Sequence, residues 1–295
     1  LGYKMKSIFK IYGCCKTVII EPSEYSDGAT KVNFPVEYST EGESIIYVEA
    51  RIKDSIGLVS LPSITNRLRD EYNKAFGNSD VSIHLLLTYM PHARQDRYTG
   101  DNAFTFKYSA LPLIVAANVD VVVVEDPHSN VCVDLLRAEG VRVEVLSQRS
   151  AMASSGILSE LSFERYQYVI APDAGSVDRA KDMARALNIP ETNVLCLTKH
   201  RDPDSGHISF EPYDSSTAYI KPEKVIMFDD IGDGCWTHIL AAEALKAGGT
   251  KHVTLVLTHG IFSKGTDHLQ PAIDRLIVIN DWREAPFNVQ ILNSF

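Results

Sequence analysis

The sequence predicts an α/β protein of two similar halves, each a mainly parallel sheet flanked by helices. Two observations carry this expectation. Apolar, β-branched runs recur without alternation, as in Val121–Val124 (VVVV), Val225–Phe228 (VIMF) and Val253–Thr258 (VTLVLT), with helical patterns between them. Strands buried on both faces read this way, and intervening helices favour parallel pairing. The pattern also repeats on either side of a Ser-rich segment, 147–156, which is expected to be the linker. The halves are placed at 1–148 and 149–295.

In chain order, residues 5–50 alternate short apolar runs with Gly, Pro and Ser, and are expected to form several strands. Ile56–Leu61 (IGLVSL) reads as a buried strand and 63–76 as a helix. His84–Tyr89 reads as a strand, followed by a helix over 105–118 with Pro112 as an irregularity. The valine run precedes a helix at 130–139 and a strand at 142–146. In the second half, Tyr168–Ala171 reads as a strand. The next helix sets Ala180, Met183, Ala184 and Leu187 on one apolar face. Val194–Leu197 reads as a strand, with a polar loop over 199–216. The strand ending at Phe228 leaves the sheet at Asp229 and Asp230. A turn bearing Gly232, Asp233 and Gly234 follows, and a helix opens at Thr237. Val253–Thr258 is a strand. The last 25 residues hold one or two more, with the option of crossing to the first half.

Composition narrows the function classes. The chain has 295 residues, is 45% apolar and 23% charged, and carries a net charge of −9. That balance fits a soluble globular protein and argues against a general nucleic-acid binder. No apolar run approaches the roughly 18 residues of a membrane span, and no secretion signal is expected. Met5 is the expected native start, with Leu1 to Lys4 as added residues. Five cysteines (Cys14, Cys15, Cys132, Cys196, Cys235) form no pairwise framework, so reduced thiols and a cytoplasmic location are expected.

The chemistry centres on 225–237, VIMFDDIGDGCWT. A strand, an acidic pair, a glycine-bearing turn and a helix put backbone N–H groups and a positive dipole end at the carboxyl edge of a sheet. That suits an anion, while Asp229 and Asp230 suit vicinal hydroxyls; a ribose phosphate has both. A capped turn is the plainer alternative. Residues 89–97 (YMPHARQDR) follow a strand and offer Arg94 and Arg97 as forks for phosphate oxygens, although a solvated loop reads equally well. His128 in 125–128 (EDPH) suits a metal or a phosphate, or is an ordinary surface histidine. Asp173 in 171–176 (APDAGS) suits Mg²⁺ or a helix cap. Lys199 and Arg201 in 199–201 (KHR) open the polar loop as solvated charges.

Taken in chain order, these five segments resemble the ribose-phosphate diphosphokinase (phosphoribosyl-diphosphate synthase) family over about residues 35–265, and the acidic-pair segment is similar to that of type I phosphoribosyltransferases. The resemblance implies two phosphoribosyltransferase-like domains, ATP on the N-terminal one and ribose phosphate on the C-terminal one. It implies ATP contacts from Arg94, Gln95, Asp96, Arg97 and His128, and Mg²⁺ contacts from His128 and Asp173. Lys199 and Arg201 would be the catalytic flap. Asp229, Asp230, Asp233, Gly234, Cys235, Trp236 and Thr237 would hold the ribose phosphate. Thr258–Ser263 (THGIFS) would support that site, and Tyr38–Glu43 is the nearest segment to the family's adenine pocket.

The implied reaction moves the β,γ-diphosphoryl group of Mg·ATP to the anomeric hydroxyl of ribose 5-phosphate, releasing AMP. Within the acidic-pair segment two residues depart from the family pattern. Gly234 replaces a hydroxyl residue and Trp236 replaces a glycine, which opens the loop toward a longer 5-substituted acceptor such as ADP-ribose. The other expectation for Trp236 is an inward indole with ribose 5-phosphate still bound. A phosphoribosyltransferase using 5-phosphoribosyl 1-diphosphate and a non-catalytic synthase-associated homologue are the competing classes. The partners expected are small molecules, with no nucleic acid and no membrane. The resemblance implies a homo-oligomer, dimer to hexamer, in a nucleotide or NAD pathway.

Overall fold

Strand pairing divides the described strands among two large sheets and one two-stranded sheet. The computed structural model describes residues 6–13, 17–35, 45–77, 81–201, 208–212, 222–283 and 290–292, with side chains left out of account at 198–201, 208–212 and 290–292. Two units separate at Leu1–Ser147 and Gln148–Phe295. Among the described residues no helix is long and apolar enough to cross a membrane. Cys132, Cys196 and Cys235 are free thiols.

The first unit runs β1 (Ile8–Tyr12), β2 (Val18–Ile20), β3 (Ser23–Glu24), β4 (Thr30–Lys31), β5 (Ile45–Arg51), α1 (Ser55–Phe76), β6 (Ser82–Leu87), α2 (Leu111–Ala116), β7 (Val121–Glu125), α3 (Asn130–Ala138) and β8 (Val143–Leu146). Its six-stranded sheet has the order β2-β1-β5-β6-β7-β8. Strands β5 to β8 are parallel, and β1 and β2 add an antiparallel edge.

The expected strand at Ile56–Leu61 is instead the first part of α1. The helix passes through Pro62. Its start is fixed by Asp54. That carboxylate accepts from the Gly57 N–H at 2.8 Å and from the Ser7 hydroxyl at 2.6 Å. A Cβ on Gly57 would meet the Ser7 Oγ at 2.1 Å, so the close approach requires glycine. Leu58, Leu61, Ile64, Leu68 and Tyr72 then share one buried face. Leu61, Ile64 and Leu68 are fully buried, and each contributes about 1.5–3 kcal/mol. The helix expected at 105–118 is also divided. A π-helical turn, Phe106–Ala110, leads into α2, whose first turn accommodates Pro112.

The second unit runs α4 (Gln148–Ser154), α5 (Ile157–Phe163), β9 (Tyr168–Ala171), α6 (Val177–Ala186), β10 (Val194–Arg201), β11 (Ile208–Pro212), β12 (Lys224–Gly232), α7 (Trp236–Ala247), β13 (His252–Gly260), β14 (Arg275–Asp281) and β15 (Gln290–Leu292). Its seven strands take the order β11-β10-β9-β12-β13-β14-β15, parallel except for the edges β11 and β15. The Ser-rich segment is helix rather than open linker, because Ala151, Met152, Ile157 and Leu161 have a core to bury against. The last strand does not join the first sheet; it pairs with β14. Within the expected polar loop, the described residues 199–201 and 208–212 belong to paired antiparallel strands, with Lys199 opposite Phe210 and Arg201 opposite Ile208.

At the amino edge of this sheet a polar lattice ties four segments together. Glu164 accepts from Lys224 at 2.5 Å, from Tyr166 at 3.0 Å and from Arg275. Arg275 also reaches Glu160 at 2.6 Å, and the Tyr166 hydroxyl lies 3.0 Å from Thr254 Oγ1.

Asp54→Ala removes a helix cap and leaves Ser7 without its acceptor. Unfolding of the first unit in urea should shift to lower denaturant by about 1–2 kcal/mol, followed by far-ultraviolet circular dichroism; an unchanged midpoint would show that the cap is not what fixes α1.

Candidate active site

In the second unit the parallel strands deliver acidic residues to their carboxyl edge, the usual place for ligands in such sheets. Strand β12 does not leave the sheet at Asp229, as the sequence suggested. It continues through Gly232, pairing Asp229 with Leu257, Ile231 with His259 and Gly232 with Gly260. A Cβ on Gly232 would meet Leu257 Cδ1 at 2.2 Å, so only glycine allows the two strands to stay together here. The Ile261 N–H closes the pairing on the Gly232 carbonyl at 2.7 Å. Adjacent residues of an extended strand project to opposite faces, so Asp229 turns to the α7 side.

Asp229 is held at three points. Its Oδ1 accepts from the Asp230 N–H at 3.0 Å, its Oδ2 meets His238 Nε2 at 2.8 Å, and its carbonyl accepts from Gln148 Nε2 at 2.7 Å. The His238 side chain is 5% exposed and that of Asp229 31%. Burial raises the Asp229 carboxyl, but the bond and charge of His238 outweigh it and hold the group below its ordinary value, with Arg179 acting in the same direction. Burial opposes charge on His238, yet the Asp229 bond and the neighbouring Cys235 thiol raise the imidazole to about 10. The two are an ion pair at neutral pH. Asp230 is buried.

The turn that follows is pinned from β13 and beyond. Asp233 Oδ1 accepts from the Ser263 N–H at 3.0 Å and from its hydroxyl at 2.6 Å. His268 Nε2 donates to the Gly234 carbonyl at 3.0 Å. Cys235 takes a left-handed conformation (φ 53°) and gives α7 no side-chain cap, a costly conformation for a residue with a Cβ. Helix α7 therefore begins at Trp236, one residue before the expected Thr237. The Trp236 indole does not enter the core. It is 56% exposed and leans on the His268 ring, with centroids 5.6 Å apart.

In the first unit the ends of the neighbouring strands β6 and β7 bring together two of the segments singled out in the sequence. Residues Ala93–Gln95 form a single 3-10 turn. Arg94, Gln95 and Arg97 are exposed around it, as is His128. Asp96 is buried, and accepts from Arg97 Nε at 2.8 Å, from Arg97 Nη2 at 3.1 Å and from the Ser129 hydroxyl. The Arg97 bond is the main reason its carboxyl sits below the ordinary value, and the Ser129 bond and the charge of His128 add to it. Asp96 is thus a brace between the two segments and not an outward contact, a correction to its expected role. Ser129 also caps α3 by accepting from the Val131 N–H at 3.2 Å. Gln95 Oε1 accepts from Thr105 at 2.6 Å.

Asp173 stands at the end of β9 as a cap. Its Oδ1 accepts from the Ser176 N–H at 3.2 Å, and the Ser176 hydroxyl contacts the Asp173 backbone in return. Lys199 and Arg201 end β10, and their side chains lie outside the described residues, as do Tyr38–Glu43. Among the described residues no three His, Cys, Asp or Glu gather as a metal cage. His128 in the first unit and Asp173 in the second each offer a single donor, and a Mg²⁺ takes few protein ligands, keeping most of its shell as water and phosphate oxygen.

Sequence reading missed His238, Gln148 and His268. His238 sat in HILAAEALKAGG, where one histidine in an apolar helix was the only signal. Gln148 and His268 gave none, because their partners are backbone carbonyls distant in sequence.

No family model matches the chain. It is 30% identical over 214 residues to the ribose-phosphate pyrophosphokinase of Mycoplasmopsis pulmonis, covering 68% of this chain and 60% of that protein. It is 24% identical over 278 residues to the ribose-phosphate pyrophosphokinase of Sulfurisphaera tokodaii, covering 93% and 88%. The crystal structure of phosphoribosylpyrophosphate synthetase from Mycobacterium smegmatis superposes with a TM-score of 0.62 at 20% identity, over 88% of this chain and 79% of that one, and so shares the fold. With its acidic pair, its arginine-bearing turn and these relatives, the chain belongs to the ribose-phosphate pyrophosphokinase family.

Proposed function

We propose that the chain is a transferase that moves the β,γ-diphosphoryl group of ATP to the C1 hydroxyl of a ribose 5-phosphate unit. The observation that carries this reading is the acidic strand end beside an uncapped helix start, on a chain whose relatives are named ribose-phosphate pyrophosphokinases. The C1 oxygen attacks the β-phosphorus in line. A C1–O–P bond forms, the bond from the β-phosphorus to the α,β-bridging oxygen breaks, AMP leaves, and the hydroxyl proton passes to water. Arg94, Gln95, Arg97 and His128 hold ATP, with Asp96 fixing Arg97 and Ser129 beneath them. Asp229 and Asp230 take the ribose hydroxyls; Asp233 to Thr237 take the 5-substituent. His128 and Asp173 would each hold Mg²⁺, which would supply positive charge against the phosphate oxygens. Lys199 and Arg201 stabilise charge on the transferring group, so the chain needs no nucleophile of its own. Assembly into a homo-oligomer in the cytoplasm belongs to the same reading.

The acceptor is set by the remade turn. An indole exposed at the rim and backed by His268 is a surface on which a base stacks, a contact of about 1–3 kcal/mol. A 5-substituted ribose such as ADP-ribose supplies that base, which places the chain in NAD-linked chemistry.

Two measurements test this. AMP release from ATP should be at least as fast with ADP-ribose as with ribose 5-phosphate, and Trp236→Gly should move the kcat/KM ratio about tenfold toward ribose 5-phosphate. Faster turnover of ribose 5-phosphate by the unaltered protein would reject the extended acceptor, and ATP-independent use of 5-phosphoribosyl 1-diphosphate would favour a phosphoribosyltransferase. Lys199→Ala should lower kcat by about 100-fold with the circular dichroism spectrum unchanged; near-native turnover would remove Lys199 from the mechanism.

A further inference from the structure

The ion pair beneath the acidic strand end has a function that the transfer reaction alone does not assign. A cation at the first turn of a helix meets the positive end of the dipole, and full burial opposes its charge further. His238 stands in that position on α7 and is nonetheless held against Asp229 Oδ2 at 2.8 Å. The Cys235 thiol also favours the charged ring, so two neighbours hold the imidazole where burial and the helix dipole oppose its charge. Asp229 in turn is fixed through Oδ1 by the Asp230 N–H and through its carbonyl by Gln148, which Arg179 approaches at 3.4 Å.

We propose that His238 is a positioning residue for the sugar: it locks the Asp229 carboxylate in one orientation and cancels its charge, so that the sugar hydroxyls meet a fixed acceptor rather than a mobile anion. The inference rests on reading this edge as a sugar-phosphate site. It accounts for a difficulty of that site, where Asp229, Asp230 and Asp233 stand together in the segment that must receive an anionic substrate. Neutralising one of them from below lowers the repulsion without giving up its oxygens. Charged or titratable groups act on the pair from each neighbouring element: Asp229 itself on β12, Cys235 in the turn and Arg179 on α6.

The pH behaviour follows from the direction of the shift. The imidazole is raised from 6.5 to about 10, so the stability it gives the fold is fully present below about 6.5 and is lost as pH rises through its folded value. Through the neutral range the ring stays protonated and Asp229 stays neutralised.

The experiment compares His238→Leu with His238→Gln, whose amide retains a donor toward Asp229. The Leu variant should raise the KM for the sugar substrate, ribose 5-phosphate or ADP-ribose, by about tenfold, while the KM for ATP stays within about twofold, and Gln should recover the sugar KM to within about threefold. A sugar KM within about twofold in the Leu variant, or Gln no better than Leu, overturns the proposal. Histidine-selective ¹⁵N spectra of the unaltered protein give a second arm that needs no activity. At about pH 8 one ring, assigned by its loss in His238→Gln, should remain doubly protonated, and Asp229→Asn should return it to an ordinary titration. A ring that titrates near 6.5 and ignores Asp229→Asn overturns the proposal even if the Leu variant fails to fold. If neither sugar turns over, the transferase reading fails, and the spectra alone judge the pair.

Discussion

The in-register pairing of β12 with β13 up to their final glycines is the constraint on which the second unit's site depends. Gly232 lies opposite Gly260, and the Ile261 N–H bonds back to Gly232. Nothing larger than glycine fits against Leu257 at this point. Because the strands remain together to the end, Ser263 arrives where it can hold Asp233. His268, a few residues later, arrives where it can hold Gly234. A looser strand end would leave the turn, the indole and the start of α7 without a fixed frame. Backbone pairing sets the positions first, and side chains refine them.

Both units treat buried acids alike. Each keeps a carboxylate that the protein itself satisfies, and surrounds it with groups that face outward. Asp96 takes up Arg97 and Ser129 in the first unit; Asp229 takes up His238 in the second. Asp281, also buried, is met by Arg283 at 2.7 Å, and that guanidinium lies over the Phe262 ring. Burying an ion is costly unless its partner is well placed, so such pairs add little net stability. What they supply is direction: an arginine, a hydroxyl or a carboxylate that points one way.

The parallel sheets were legible because valine and isoleucine runs have no amphipathic alternation, and a sheet covered by helices is the remaining solution. The candidate-site segments that stood out were those whose polar side chains lie close together in sequence, 94–97 and 229–233. Reading failed where tertiary partners decide. Ile56–Leu61 is β-branched and precedes a proline, yet Asp54 and Ser7, 47 residues apart, commit it to helix. Segment 147–156 looks like a linker because serine is common in loops, yet its Ala151 and Met152 cover a core. Strand β12 was ended four residues early because aspartate and glycine are turn formers, and neither residue reveals that a second strand runs alongside. His238 escaped notice for the same reason: its partner lies nine residues away in sequence and on another element.

The lattice around Glu164 lies at the opposite edge of the second sheet from these ligand groups. Burial opposes its ionisation, but Lys224, Tyr166 and Arg275 together keep the carboxyl below its usual value. Its contribution is therefore present above the unfolded carboxylate value and disappears as pH falls through the folded one. One proton on Glu164 would leave an ammonium and a guanidinium close together with their common counter-charge gone. Acid lability in this half of the molecule thus draws on a carboxylate at the amino edge of the sheet as well as on Asp229 at the other.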